Sequence, residues 1–448
     1  MEDLKQLATD VVSRAMQRGA TAAEAIAREG SEFSTVVRLS NVETLKEAAS
    51  RAIGVRVFFG QRAASTYSSD LSSDGVAKLV SSAVELAKIT SEDPLAGLPA
   101  ADELGQLPSD LGLYHEDVYS LPNATRIDYA RRAESAAMQS DARITNSEGG
   151  SFDAALGHTV LANSLGFVGE YRRSYCSVGT VPVAQQNGAM QRDFWSSVAL
   201  SLDKLESPEH VGRIAAQRTL RRLGARKVKT QRVPIVFDQL TARDLLEHIF
   251  EAITGDAVYR SASFLAGKLG QKIAGDNVTV IDDGTKPGGF GSSPFDGEGV
   301  PTRRTVVIDR GELKSYLLNT YTAKKLGMKT TANASRGIAG NPGIRCGNFY
   351  LQPGTKSAKE IIAGVQEGLY VTDFLGFGLN LVTGDFSGGT SGLWISGGEL
   401  AYPVEEITVA GNLTDMLNNV AEVGSDLEFR GSVACPTLRI EGMTVAGE

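Results

Sequence analysis

The sequence predicts an α+β fold in two domains, residues 1–230 and 231–448. In the first, helices pack on antiparallel strands. In the second, β-sheets dominate, with a few helices. Three observations point there. Apolar residues recur at helical spacing in a few separated stretches. Between them lie extended segments whose links are too short for helical crossovers, which favours antiparallel pairing. Glycine is frequent and proline scarce, 49 against 14 in 448 residues, which suits turns and close backbone approaches in β-structure.

Leu4, Leu7, Val11 and Ala15 share one face of an opening helix that ends near Gly19. Residues 32–38 and 53–59 are β-rich, and Gly60 punctuates the second. Ser72-Ser73-Asp74 opens a long helix, with Val76, Leu79, Val80, Ala83, Val84 and Ala87 at helical spacing, and it stops before Asp93-Pro94. Residues 95–113 read as a loop and 124–139 as a helix. Extended segments at 142–146, 151–163, 167–181 and 193–200 form a meander. Residues 207–223 are helical, with Pro208 in the first turn.

The second domain begins near Val233, where Pro234-Ile235-Val236-Phe237 starts a buried strand. Residues 241–254 read as a helix, 255–275 are of mixed character, and 277–281 read as a short strand. Glycine turns occupy 284–299. Residues 305–309 and 313–321 pair as a hairpin around Arg310-Gly311. A short helix covers 359–369, with Ile361, Ile362, Val365 and Leu369 on one face. From Tyr370 onward short strands are split by glycines. The run 384–398, with Trp394 in it, reads as strand-and-turn core. No repeat of fixed period is present.

The net charge of −8 argues against a globally basic nucleic-acid binder. One basic stretch stands out: Arg218, Arg221, Arg222, Arg226, Lys227, Lys229 and Arg232. It either contacts nucleic acid or is a solvated helix end whose cations complement the helix dipole. The second reading is preferred because no aromatic residues are interleaved for base stacking. Cys176, Cys346 and Cys435 are too far apart for a disulfide framework or a CxxC zinc knuckle. The charged start, Met1-Glu-Asp-Leu-Lys, has no apolar core of a signal peptide, and no run approaches 18 apolar residues. The expected compartment is the cytoplasm, with no membrane partner.

Motifs for catalysis are sparse. No two of His115, His158, His210 and His248 lie within five residues, so HExxH is absent. GxSxG and the P-loop pattern are absent, and Gly289-Phe290-Gly291 and Gly376-Phe377-Gly378 both lack the third glycine of a dinucleotide fingerprint. In the helix around 241–254, Glu247 and Glu251 sit at i and i+4 and project from one face. With His248 they could offer three metal ligands. The competing reading is surface pairing, Arg243 with Glu247 and Asp244 with His248. It is preferred, because one helix lacks the further ligand from another element that a zinc site needs.

Several long stretches carry a resemblance. They are Gly289-Phe-Gly-Ser-Ser-Pro-Phe-Asp-Gly-Glu-Gly-Val-Pro-Thr-Arg-Arg304, Ser315-Tyr-Leu-Leu-Asn-Thr-Tyr-Thr-Ala-Lys-Lys-Leu-Gly-Met-Lys329, Val382-Thr-Gly-Asp-Phe-Ser-Gly-Gly389 and Tyr402-Pro-Val-Glu-Glu-Ile-Thr-Val-Ala-Gly-Asn-Leu413. Ala64-Ser-Thr-Tyr-Ser-Ser-Asp70 and Thr90-Ser-Glu-Asp-Pro94 add the first half. Over nearly its whole length the sequence resembles the TldD/PmbA family, also called modulators of DNA gyrase and grouped as U62-like peptidases. The resemblance implies a heteromeric cytoplasmic zinc protease that holds unfolded peptides extended in a closed cavity. TldD-like subunits carry HExxxH on the first helix of the C-terminal domain, and a cysteine near the C-terminus completes the site. PmbA-like subunits, also called TldE, lack these ligands.

Against that motif, Leu246 stands at the first histidine, Glu247 at the glutamate and Glu251 at the second histidine. Residues 421–426, nearest the cysteine position, hold no cysteine, and Cys435 comes later. Leucine does not bind zinc. The expectation is therefore a non-catalytic PmbA/TldE-like subunit without zinc of its own. Its expected partner is a TldD-like, zinc-holding subunit in a heterodimer or larger assembly, with a homodimer possible when alone. Gly289, Gly291, Ser292, Ser293, Thr302 and Arg303 are the candidate peptide contacts: the glycines allow close backbone approach, and Thr302, Arg303 and Arg304 could anchor a carbonyl or carboxylate. The same segment could equally be a tight structural turn in which Asp296 bonds backbone amides. Two alternatives stay open: a self-sufficient metallopeptidase using Glu247, His248 and Glu251, and a non-enzymatic regulator linked to DNA gyrase.

Overall fold

The computed structural model describes residues 3–107 and 109–448, with Phe377 described by its backbone alone. Met1 and Glu2 of the charged start, and Pro108 of the expected loop, lie outside them. The fold is α+β. In the first half, helix α1 (Leu4–Gln17) is capped by the Asp3 carboxylate and buries Leu4, Leu7, Val11 and Ala15. Strands β1 (Ala22–Arg38), β2 (Asn41–Phe59) and β3 (Arg62–Ser68) follow, then α2 (Ser73–Ile89), capped by Ser72. After α3 (Glu116–Ser120) and α4 (Asn123–Met138) come β4 (Ile144–Asn163), β5 (Val168–Gln186), β6 (Ala189–Arg192) and β7 (Trp195–Ala199), and then α5 (Pro208–Leu220). All seven strands form one antiparallel sheet in the order β3-β2-β1-β4-β5-β6, with β7 also on β5.

β1 begins ten residues before the expected strand. Ala22–Glu29 is rich in alanine and glutamate, which favour helix. Here it is pinned on both edges, Ile26 opposite Gly54 of β2 and Leu161 of β4. Ala23, Ala25 and Ala27 pack beneath α1 and α2 on one face. Tertiary pairing overrides local propensity. The same face continues along β1 and β4 through Phe33, Val37, Phe152 and Ala154, where α4 and α5 cover it. The opposite face, with Ile26, Leu161 and Gly169, meets Phe167 and Phe295 and turns to the second half.

The second half contains β8 (Gln231–Phe237), α6 (Gln239–Ile253), α7 (Gly255–Tyr259), β9 (Val280–Asp283), β10 (Arg304–Asp309), β11 (Glu312–Leu313) and α8 (Thr320–Leu326). Next come β12 (Ala334–Ser335), β13 (Gly343–Ile344), β14 (Asn348–Leu351), α9 (Ala358–Ala363), β15 (Glu367–Asn380), β16 (Asp385–Ser396) and β17 (Glu399–Asn412). Helix α10 (Leu413–Asn418) precedes β18 (Val420–Val423), β19 (Val433–Ala434) and β20 (Leu438–Ala446). One sheet runs β17-β16-β15-β8-β20-β18, and β17 also pairs β20, so five of its strands close on themselves. A second runs β11-β10-β9-β14-β19, and β12–β13 stands apart as a hairpin. The core between them gathers α6 with β8, β9 and β20.

Three expectations are corrected. Residues 313–321 are not a strand: only Glu312–Leu313 pairs with β10, and Asn319, accepting from the Thr322 N–H at 2.8 Å, caps α8 instead. The helix expected at 359–369 ends at Ala363 with Gly364 as its cap, and Leu369 lies in β15. Beyond Tyr370 the strands are long, and glycines sit inside them. A Cβ on Gly392 would fall 2.1 Å from the Tyr370 carbonyl oxygen, so this glycine permits close strand approach and does not interrupt the strand.

Candidate functional site

Asp238 opens α6: its carboxylate accepts from the N–H groups of Leu240 (3.1 Å) and Thr241 (2.9 Å). Helical spacing then turns Leu245, Leu246, Ile249 and Ala252 inward. Leu246 is buried and lines a small apolar cavity of about 40 Å³ with Leu245, Ile249, Cys435, Leu438 and Ile440. Cys435, remote in sequence, thus shares a wall with the first motif position; no local pattern signals this. Its thiol is fully buried, and burial pushes it well above its ordinary value, toward the neutral form.

Glu247 lies 3.6 Å from the Arg243 guanidinium, the expected pair. Partial burial pushes its carboxyl up against the pull of Arg243. The expected Asp244–His248 pair is corrected: Asp244 binds Arg243 at 2.8 Å, while His248, buried against Phe386, holds Glu251 at 3.2 Å. Arg243 takes the Asp244 carboxylate, and the His248 ring turns to Glu251 on the same face. Among the described residues no three His, Cys, Asp or Glu side chains converge as a cation site. Zinc does not fit the residues at the motif, which offer a hydrocarbon at 246, a carboxylate turned to His248 at 251 and a protonated, buried thiol at 435.

The other candidate segment is largely interior. A Cβ on Gly291 would lie 1.9 Å from the Gly347 carbonyl oxygen, and one on Gly289 would meet the Asn348 amide. Ser292 and Ser293 are fully buried. The Ser292 hydroxyl donates to the Lys286 carbonyl at 2.6 Å and accepts from Asn348, and Ser293 accepts from Arg345 at 2.7 Å. Thr302 is buried and donates to the Ser293 and Gly284 carbonyls. Arg303 and Arg304 are exposed. Asp296 does bond backbone amides, accepting from Glu298, Val300 and Ala334 at 2.9–3.1 Å. The segment has the geometry of a structural turn.

The basic stretch divides: Arg226, Lys227, Lys229 and Arg232 are exposed, as a solvated run requires, whereas Arg218, Arg221 and Arg222 are drawn inward. Arg218 is buried, 3.2 Å from Asp193 and 3.5 Å from Asp238; Arg222 binds Asp373 at 2.9 Å, and Arg226 stacks 3.5 Å over the Tyr402 ring. These cations join the two halves. A second seam joins Glu24 to Arg56 (2.5 Å) and to Arg336 (2.8 Å), with Arg56 4.0 Å from Glu298. Burial pushes the Glu298 carboxyl up, and that of Asp296 to about 7. Nothing local in the sequence marks this seam, since Glu24 is one of three glutamates in β1.

The family profiles that match this chain define its class, that of metallopeptidase-like proteins. Profiles of the PmbA/TldA metallopeptidase match in chain order: domain 1 at residues 23–87, the central domain at 116–223 and the C-terminal domain at 230–447. The chain is 36% identical over 451 residues to Metalloprotease PmbA of Escherichia coli O157:H7, covering 100% of this chain and 98% of that protein. It is 34% identical to a Metalloprotease PmbA homolog of Haemophilus influenzae, covering 100% and 96%. A Bacteroides thetaiotaomicron crystal structure, described as a candidate modulator of DNA gyrase, superposes with TM-score 0.93 at 28% identity over 100% of both chains. TldE from Thermococcus kodakarensis shares the fold, with TM-score 0.89 at 20% identity over 98% and 100%. The chain belongs to the PmbA/TldD family.

Proposed function

We propose that this chain is the PmbA/TldE-like, non-catalytic subunit of a cytoplasmic metalloprotease acting on unfolded peptides, with zinc held by a TldD-like partner. The observation that carries this is Leu246, buried in an apolar wall where the motif requires an imidazole. Without a held cation, Glu247 has no metal-bound water to deprotonate. In this reading the chain closes the cavity and helps hold an extended peptide by main-chain hydrogen bonds, which are the same in every peptide. A regulator contacting DNA finds little support, since Arg218, Arg222 and Arg226 of the basic stretch are engaged by Asp193, Asp238, Asp373 and Tyr402. Among the described residues no helix is long and apolar enough to cross a membrane.

The test is co-expression with a TldD-like sibling, followed by size-exclusion chromatography, metal analysis and peptide hydrolysis. The expected result is a stable complex that alone cleaves peptides and whose zinc is lost when the sibling's motif is mutated. Stoichiometric zinc and hydrolysis by this chain alone would refute the proposal and favour a site at Glu247, His248 and Glu251.

A further inference from the structure

The helix-free face of the first sheet looks across to the second half. In register, Arg28 of β1 lies beside Thr159 of β4 and Tyr171 of β5, and one step along, Gly30 lies beside Gly157 and Arg173. Facing them is the β12–β13 hairpin with Arg336 and Arg345. It is seated against the sheet where a Cβ on Gly54 would collide with the Ile338 carbonyl. Between the two lies a cavity of about 490 Å³, within the size range of ligand sites. Four arginines line it: Arg28, Arg173, Arg336 and Arg345. Gly157 and Gly337 are exposed in its lining, so it opens to solvent.

The charges here do not balance. Arg336 is paired with Glu24 at 2.8 Å, a carboxylate it shares with Arg56. Among the described residues, Arg28, Arg173 and Arg345 have no carboxylate at ion-pair distance. They donate to neutral acceptors: Arg28 to the Arg336 carbonyl (2.5 Å), Arg173 to the Phe290 and Ser292 carbonyls, and Arg345 to the Ser293 hydroxyl. Each guanidinium has five N–H donors, so most remain available. The Arg28 Nε is buried and without a partner. Among the described residues Asp296 is the one acid in the lining, and its oxygens already accept three backbone N–H bonds. Burial pushes the Arg173 guanidinium down from its ordinary value, and the charge on Arg345 adds to this.

We infer that this cavity receives the carboxylate of an extended peptide, either its free C-terminus or an acidic side chain, on the forks of Arg28, Arg173 and Arg345. Planar guanidinium forks match carboxylates bidentately, and partly desolvated cations gain most from one when no carboxylate lies at ion-pair distance; Asp282, the acid that feels the Arg345 charge, lies beyond it. A peptide fits better than a free inorganic anion, because the cavity is large and Ile26, Leu161 and Phe295 give it an apolar wall. The inference rests on the peptide-binding reading above.

The test is fluorescence anisotropy on the full chain, purified alone. The probe is an unstructured peptide labelled at its N-terminus and ending in glutamate, compared with its C-terminal amide, its glutamine-ended form and a form with both changes. Arg28→Gln and Arg345→Gln are measured beside it, with thermal melts to confirm folding and Arg345→Lys as the milder variant. The acidic peptide is expected to bind about tenfold tighter than the doubly neutral one, and each folded glutamine variant to erase that difference. The single changes identify whether the terminus or the side chain is read. Equal affinity of acidic and neutral peptides, unchanged affinity in folded variants, or inorganic phosphate binding as tightly as the peptide would overturn the inference. Hydrolysis by the assembled complex is read separately: if it fails while acidic peptide still binds, the subunit assignment falls and the site stands.

Discussion

At the scale of single residues, Leu246 shows how a motif position is closed. Its side chain packs among Leu245, Ile249 and Leu438, so an imidazole there would be desolvated without a partner. Leu246→His is expected to lower stability by about 1–3 kcal/mol, read from urea unfolding, and to bind no zinc on metal analysis. The motif comparison made the position legible in sequence. The shared wall with Cys435 was not, because that contact joins α6 to the residue just after β19, far along the chain. Asp282 was equally silent in sequence. It is buried, accepts from Asn333 and the Gly347 N–H at 2.7 Å each, and burial pushes its carboxyl up to about 6. A raised folded value means the native state holds the proton more tightly than the unfolded chain. That stability is fully present below about pH 4 and is lost as pH rises through about 6, at most on the order of 3 kcal/mol. Melting temperatures of Asp282→Asn should fall less than those of the native chain between pH 4 and 7.

At the scale of elements, the segment 284–304 separates two kinds of glycine. A Cβ on Gly291 would strike backbone at 1.9 Å, whereas Gly288, with φ +64°, meets nothing within 4 Å. Gly288→Ala should cost about 1 kcal/mol through its left-handed backbone, and Gly291→Ala clearly more, with loss of the packing against Gly347. Chemical denaturation of the pair checks the order. Periodicity located α1, α2, α4, α5 and α6 to within a few residues, because each buries one apolar stripe. It failed where the environment outvoted composition: in alanine-rich β1, in the long β15–β17, whose glycines let strands draw together, and at 359–369, where one apolar stripe spans a helix, a cap and a strand.

At the scale of the whole molecule, the arginines at the end of α5, Arg218 and Arg222, work as a clasp between halves. Removing Arg218 takes the nearest cation from the buried carboxylates of Asp193 and Asp238, with Arg222 left 4.0 Å from Asp193. Arg218→Ala should therefore cost about 3–5 kcal/mol, and calorimetry should show the halves melting apart. The α+β class and the family were legible because they reside in local patterns and long motif strings. The seams were not, since Glu24, Arg56, Glu298 and Arg336 come from four distant segments.

The closed ring of strands has a consequence for synthesis. β8 sits between β15 and β20, so neither of its edges finds a neighbour until residues 367–380, and then 438–446, have left the ribosome. At roughly 5–20 residues per second, a bare apolar strand waits many seconds in the crowded cell. A nascent chain of this design should be a client for holding chaperones, and its yield should track their supply more than the stability of the finished fold.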